Sequence, residues 1–407
     1  MPHQSYFSEA LDSVKKEGRY RYFANIERHA GNFPYATHHL EDGTKDTIIV
    51  WCSNDYLSMG QHPSVLKAMH EALDKNGAGA GGTRNISGTH HYHVALEKRL
   101  ADLHERQAAL LFTSGYAANE ATLATLMSFL PNGVVLSDEC NHASIIHGIR
   151  YSNAEKRIFK HNDLKDLERQ LKGLEYHQPK VIVFESIYSM DGDFAPISKI
   201  CDLAQKYNAM TYVDEVHAIG LYGKQGMGLV EKAGEEKRIT ILQSNFGKAV
   251  GIIGGYIAAS NTIVDFVRSY APPFIFTTAL PPVVVAGALA SINHFTHNSD
   301  GRAQLWHNVN LLKKNLHRAG FTFFDYGSHI IPLIVGDPLL CKEITDRLFY
   351  KHKIYVQPIN YPTVRRGTER LRVTPMPCHT PRMIEDFTGA CIEVWDFFGL
   401  KRQQKIA

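Results

Sequence analysis

Three side chains able to do chemistry stand close together between Thr211 and Ser260. They are the carboxylate of Asp214, the imidazole of His217 and, after a glycine-rich turn and a second apolar run, the amine of Lys248 between Gly247 and Ala249. A lysine amine condenses with aldehydes, and a carboxylate can keep a proton on a pyridine nitrogen so that the ring accepts electrons. Held at the ends of neighbouring strands with an imidazole beside them, these groups are what an enzyme needs to carry pyridoxal 5'-phosphate (PLP). Each also has a plain reading. A lone lysine usually faces solvent, an Asp-Glu pair at a strand end is often a turn, and a histidine is more often structural than catalytic. The D-E-V-H run, the glycine-rich turn and the lysine flanked by small residues outweigh those readings only together.

The elements that must position these groups are legible around them. Apolar runs at Ala108–Phe112, Val134–Ser137, Arg157–Phe159, Lys180–Glu185 and Thr211–Asp214 alternate with helical patterns. The helices are expected over Leu96–His104, from Thr113–Tyr116 to Met127, up to about Ser152, from Leu164, and over Ile197–Tyr207. Such alternation predicts an α/β fold with a mostly parallel central sheet and right-handed crossovers. Ligands gather at the carboxyl ends of the strands in these sheets, which puts Ser137, His142, Ser189, Asp214, His217 and Lys248 on one rim. Small residues running into a helix at Thr113–Tyr116 can cradle a phosphate with free backbone N–H groups, or form no more than a serine N-cap. Gly77–Gly88 is the most glycine-rich stretch, but it lacks a Walker lysine and a preceding strand, so linker and site are equal readings.

A helix over Tyr6–Lys16 and a strand at Thr47–Trp51 come first, and the arginines of Glu17–Arg21 read by themselves as solvated surface. Ala271–Pro282 reads as irregular, because prolines interrupt it. After a helix from Val283 to about Phe295 the texture changes to an α+β arrangement: helix, strand Ile330–Val335, helix Leu340–Phe349, Ile354–Gln357, a loop over 360–367, Glu369–Thr374 and a final helix. The expected organisation is an N-terminal arm (1–50), a large cofactor-binding domain (51–295) and a smaller C-terminal α+β domain (296–407).

At 407 residues and 44% hydrophobic content the chain can bury more than one core, which favours an enzyme over a small binding module. A balance of 44 basic against 41 acidic residues, without charge blocks, demands neither nucleic acid nor a membrane surface. The six cysteines show no zinc or disulfide spacing, so no metal is expected and a reducing compartment is. No signal, transit or transmembrane pattern is evident, and the expectation is a cytoplasmic protein.

The motifs GRYRYF, WCSNDYL, GGTRNISGTHHYH, SDECNHASIIHGIR, FESIYSMDGD, YVDEVHAIGLYG and VQPINYPTVRRGTERLRVTP span almost the whole chain. On them the sequence resembles the α-oxoamine synthase family of fold-type I PLP-dependent enzymes, and among these the 5-aminolevulinate synthases. The resemblance implies a PLP-dependent acyltransferase that condenses glycine with succinyl-CoA and releases CoA and carbon dioxide, the first step of tetrapyrrole (heme) biosynthesis. It implies that Lys248 carries the Schiff base and takes the glycine α-proton, a task that needs a neutral amine. Asp214 pairs with the pyridine nitrogen, His217 and Ser189 meet the phenolic oxygen side, and His142 stacks on the ring. Ser114, Gly115 and Tyr116 form the phosphate loop, completed by Thr277 and Thr278 from a second subunit, so the implied state is a homodimer with shared sites.

On the substrate side the resemblance assigns Arg372 to the glycine carboxylate with help from Asn54, and Thr83 and Asn85 to crowding around the α-carbon. Arg21 and Thr363 receive the far carboxylate of succinyl-CoA, and Ser137 and Lys156 match further substrate positions. A loop around Pro362–Gly367 closes to exclude water. Two positions depart from the family pattern. Asn245 stands where a threonine usually precedes the lysine by three residues, which leaves an amide N–H for the cofactor phosphate, and Gln225 stands where an arginine is usual. A sister synthase using another acyl-CoA or amino acid, an enzyme serving specialised metabolism, a non-catalytic descendant and a plain nucleotide-binding protein are the alternative readings.

Overall fold

A computed structural model describes residues 3–402, so the outer ends of the expected arm and C-terminal domain, 1–2 and 403–407, lie outside the described residues. Seven strands form the central sheet: β1 (Ala108–Phe112), β2 (Val134–Asp138), β3 (Glu155–Phe159), β4 (Lys180–Glu185), β5 (Met210–Asp214), β6 (Ile241–Asn245) and β7 (Gly255–Ala259). Their spatial order is β1-β7-β6-β5-β4-β2-β3. The pairs β6/β5, β5/β4, β4/β2 and β2/β3 are parallel, whereas β7 runs antiparallel to both β1 and β6. Strands β2 and β4 are buried at every position, as expected of parallel strands covered on both faces, which read as continuous apolar runs rather than alternating ones. The reversal at β7 follows from its connection. Residues 246–254 are too few for a crossover helix and can only turn the chain back beside β6.

Helices Gly115–Phe129 and Ala143–Tyr151 pack against one another, and their apolar residues join those of the strands in one core that includes Leu110, Val135, Val183, Tyr212 and Ile257. Some helices differ from the sequence reading, and Pro63–Asn76 is a helix that it did not include. The one expected from Leu96 starts at His91, and Pro272–Ile275 forms a short helix inside the stretch expected to be irregular.

The described residues divide into two compact units. One comprises Met59–Ser189 and Phe194–Arg302 and contains the central sheet. The other gathers residues up to Ser58, Met190–Asp193 and those from Ala303 on. The N-terminal residues of this second unit are thus not a free-standing arm ending at 50. Lys45–Val50 pairs in parallel with Ile354–Tyr355, and Trp51 stacks on His379 with ring centroids 3.9 Å apart. The core of the second unit joins Trp51 to Leu312, Leu371, Phe387 and Trp395. Among the described residues no helix is long and apolar enough to cross a membrane.

Candidate active site

Asp214 ends β5 and is 4% exposed. Its Oδ1 accepts the Val216 N–H at 2.9 Å and its Oδ2 accepts Asn119 Nδ2 at 2.9 Å. Burial pushes this carboxyl above its ordinary pKa, while the bonds from Asn119 and Val216 and the nearby His142 and Lys248 oppose the rise. A buried acid held by neutral amides is suited to a cationic ring nitrogen, because a positive partner would offset the cost of burying its charge. The donor set therefore fits PLP. Glu215, next in the chain and fully buried, accepts from Ser186 Oγ at 2.8 Å, Leu229 N at 3.0 Å and Val230 N at 2.6 Å. Its burial pushes its carboxyl up to about 7. These bonds fasten the glycine-rich turn behind Asp214 and so define the setting of the buried His217. Gln225 sits in that turn, with its backbone N–H on Glu231 Oε1 at 2.8 Å.

Lys248 follows the carboxyl end of β6, which runs parallel to β5. It lies in the hairpin between β6 and β7, where its carbonyl accepts the Gly251 N–H at 2.8 Å. Gly251 has φ of 78°, and a Cβ there would lie 2.2 Å from Gly60 N, so only glycine closes this turn. Asn245, at the end of β6, accepts the Gly247 N–H on Oδ1 at 2.9 Å. The amide thus caps the lysine turn with its oxygen, and its nitrogen lies on the Gly115 side, where a Cβ would come within 2.5 Å.

Ser114 caps the helix Gly115–Phe129, its Oγ accepting the Ala117 N–H at 3.0 Å. The first turn of that helix presents unpaired backbone N–H groups, the anion cradle its sequence suggested. Tyr116 is hydrogen-bonded through its hydroxyl to His147 Nδ1. His142 caps the helix Ala143–Tyr151, with its Nδ1 accepting the Ser144 N–H at 3.2 Å. The ring is exposed, but the protein atoms crowded around it lower its pKa; Asp214 opposes that shift and Lys248 adds to it. Ser189 follows β4, beside the Ile187–Phe194 bridge.

Thr83 and Thr278 are joined by an antiparallel backbone bridge, so the loop holding Thr83 and Asn85 and the segment holding Thr277 and Thr278 form one piece. Thr83 Oγ1 donates to Asn85 Oδ1 at 2.6 Å, and Arg84 fastens the loop by a two-pronged pair with Glu97 at 2.7 and 3.0 Å. Ser137 is buried inside β2, where its hydroxyl donates to Asp138 O and accepts from Asn141 Nδ2. Lys156 lies exposed on the neighbouring edge strand β3.

In the second unit, Arg372 is 6% exposed and donates to Asn54 Oδ1 at 3.1 Å and Tyr56 OH at 2.8 Å. These two neutral acceptors align a guanidinium, the group whose planar fork matches a carboxylate. Arg21 Nη2 reaches Thr363 Oγ1 at 3.4 Å, and both line a cavity of about 720 Å³ together with Arg19, Lys342 and Tyr361. Arg366 in the loop around Pro362–Gly367 pairs with Glu17 at 2.9 Å.

Polar residues in these arrangements that escaped the sequence reading include Asn119, Ser144 and Tyr56. Asn119 sits in a helix without a clear polar face and Ser144 in a helix start, positions where such residues are common. Tyr56, two residues after Asn54, and Ser144, two residues after His142, carried a signal by their nearness to residues already singled out.

A model of the class I and II aminotransferase family matches residues 46–390. A 5-aminolevulinate synthase of Bradyrhizobium diazoefficiens is 53% identical over 405 residues, covering 100% of this chain and 99% of its own. The 5-aminolevulinate synthase 1 of Cereibacter sphaeroides is 54% identical over 398 residues, covering 98% of each chain. Among solved structures, a variant serine palmitoyltransferase from S. paucimobilis with a bound PLP–myriocin aldimine aligns with a TM-score of 0.88 at 31% identity, covering 97% of both chains.

Proposed function

The chain belongs to the class I and II aminotransferase family and, within it, to the 5-aminolevulinate synthases, and from that premise we propose how its own residues condense glycine with succinyl-CoA. It is a PLP-dependent acyltransferase that releases 5-aminolevulinate, CoA and carbon dioxide, the first step of heme biosynthesis. When bound, PLP supplies an electron sink for a carbanion at the glycine α-carbon.

Lys248 is the covalent anchor and the base: its neutral amine takes the α-proton of glycine and returns a proton to the same carbon once carbon dioxide has left. Asp214 would pair with the ring nitrogen of the cofactor, His217 and Ser189 would meet its phenolic oxygen side, and His142 would lie against the ring. Ser114, Gly115, Tyr116 and Asn245 bind the phosphate, with Thr277 and Thr278 contributed by a second copy of the chain. Arg372, aligned by Asn54, binds the glycine carboxylate, and Thr83 and Asn85 leave no room for a larger side chain. Arg21 and Thr363 take the distal carboxylate of succinyl-CoA, while Ser137 and Lys156 are further substrate positions. The loop around Pro362–Gly367 excludes water from the reacting carbon.

The observation that carries this reading is the buried acid Asp214 at the end of the central strand, within electrostatic reach of both His142 and Lys248. A homodimer is part of the proposal. The first helix, His3–Lys16, has no buried residue and leaves Tyr6 and Phe7 open, as does Phe276 beside Thr277. A cytoplasmic location is also part of it, supported by six unpaired cysteines. The test is to reduce the PLP-loaded protein with borohydride, map the adduct by mass spectrometry, and assay product from glycine and succinyl-CoA. Adduct at Lys248, with both adduct and product lost in Lys248→Ala, is expected. An adduct elsewhere, or product from Lys248→Ala at the normal rate, contradicts the assignment.

A further inference from the structure

Asn119 lies in the helix Gly115–Phe129 and is 2% exposed. All three hydrogen-bonding contacts of its amide are short. Oδ1 accepts the Tyr212 hydroxyl at 2.8 Å, and Nδ2 donates to Asp214 Oδ2 at 2.9 Å and to Ser144 Oγ at 3.0 Å. Chemistry fixes which end of the amide is which. Burial, and then the neighbouring Asp214, push the Tyr212 phenol well above its ordinary pKa, so its hydroxyl keeps a proton to give. An ionised Asp214 can only accept. The amide oxygen therefore faces Tyr212 and the nitrogen faces the acid.

The second N–H of Asn119 takes one of the two lone pairs of the Ser144 oxygen, and the serine's own proton is then best placed on His142 Nδ1, 2.7 Å away. The Ser144 backbone N–H points at the same ring nitrogen from 3.2 Å. With Nδ1 an acceptor twice over, the proton of the neutral imidazole sits on Nε2. The acid ends β5 and the imidazole caps the helix Ala143–Tyr151, and one buried side chain is hydrogen-bonded to the first directly and to the second through a single serine.

We propose that Asn119 is a positioning residue, whose amide fixes the Asp214 carboxylate and, through Ser144, the tautomer and orientation of His142 as one unit. This rests on the cofactor reading, in which Asp214 and His142 address the ring nitrogen and the ring face. A carboxylate aligned before the cofactor arrives needs no reordering on binding, so the amide contributes to affinity as well as to geometry.

The test uses two independent readouts. The His142 ring is titrated by NMR in the cofactor-free protein, its signals identified by their loss in His142→Ala, and PLP dissociation is measured separately by fluorescence. Asn119→Ala removes the N–H that polarises the Ser144 hydroxyl, which becomes a weaker donor to the neutral ring and a better acceptor for a protonated one, so the His142 titration should move to higher pH. The same change should weaken PLP binding about tenfold or more, the scale of one hydrogen bond to a charged group. Ser144→Ala should also raise the His142 titration but leave PLP affinity within about twofold, since the bond to Asp214 survives.

An unmoved His142 titration in both variants overturns the proposal, and so does wild-type PLP affinity in a folded Asn119→Ala. Should that variant not fold, Asn119→Ser, which keeps one donor, takes its place beside Ser144→Ala under the same two criteria. Failure of the wild-type protein to bind PLP would instead strike the cofactor reading, and the cofactor-free titration would still judge the link from Asn119 to His142.

Discussion

Gly115 and Asn245 offer the sharpest test of how the phosphate cradle and the lysine turn depend on one another. A Cβ on Gly115 would lie 2.5 Å from Asn245 Nδ2, 2.6 Å from its Cβ and 3.0 Å from its Cγ. Non-bonded heavy atoms prefer about 3.5–4.0 Å, so in Gly115→Ala the asparagine must retreat by roughly an ångström. Overpacking of this kind costs about 1–3 kcal/mol. Retreat also pulls Oδ1 off the Gly247 N–H, now 2.9 Å away, at a further cost of about 0.5–1.5 kcal/mol. With the strain borne by the cofactor-binding state, PLP binding should weaken by about 1.5–4.5 kcal/mol, a dissociation constant raised roughly ten- to two-thousandfold. All three clashing atoms belong to the Asn245 side chain, so Asn245→Gly removes the obstacle. Adding Gly115→Ala to that background should then cost far less than adding it to the natural chain, a coupling that a double-mutant cycle measures directly. Binding titrations with PLP on the four proteins, each first shown to melt cooperatively, provide the data. Wild-type affinity in Gly115→Ala, or the same penalty with and without the Asn245 side chain, would refute the reasoning.

Other consequences are as direct. Tyr56→Phe removes the 2.8 Å acceptor of Arg372 Nη2, and steady-state kinetics should show the KM for glycine raised about tenfold with kcat changed much less. Arg21→Leu should weaken succinyl-CoA about tenfold or more while improving relative use of an uncharged acyl-CoA of equal length; equal losses on both would argue against a carboxylate role. Acid should destabilise the fold through its buried imidazoles. His104 and His379 are held by burial at about 3 and about 4 against an ordinary 6.5, so they stay neutral in the folded state while the unfolded chain takes up protons below about 6.5. Each then removes about 1.4 kcal/mol per pH unit as the pH falls from there toward the folded value. Glu215, raised to about 7 from 4.5, binds its proton earlier in the folded state and offsets about one of the two over that interval. Urea titrations between pH 7 and 4 should therefore show declining stability that steepens below about 4.5, and a flat profile would contradict the assignment.

What could be read along the chain and what could not divide by whether the signal is local. Ala108–Phe112 and Lys180–Glu185 were legible to the residue because a strand buried on both faces must be an unbroken apolar run. The helix from His91 was read too short because its start uses His90 and His93 as a reciprocal cap, His93 Nδ1 accepting the His90 N–H at 3.0 Å, in place of the usual serine and glutamate. The reversal at β7 was hidden for a different reason: Gly255–Ala259 is as apolar as its parallel neighbours, and direction depends on the short connection before it rather than on the strand's own residues. Chemical identity followed the same division. Asp214, His217 and Lys248 declare themselves because their types are uncommon in such surroundings and they fall within one short stretch. Asn119 does not, since an asparagine inside a helix of small residues acquires its meaning only when Tyr212, Asp214 and Ser144 converge on it from separate elements. Arg21 lies between these cases. It reads as solvated surface until the fold brings it to Thr363, 342 positions away, and a charged side chain on an N-terminal segment becomes part of a cavity wall. Residues that react must differ from their neighbours in kind, and so leave a mark in the sequence. Those that hold them in place can be of any ordinary polar type, and only three-dimensional contact distinguishes them.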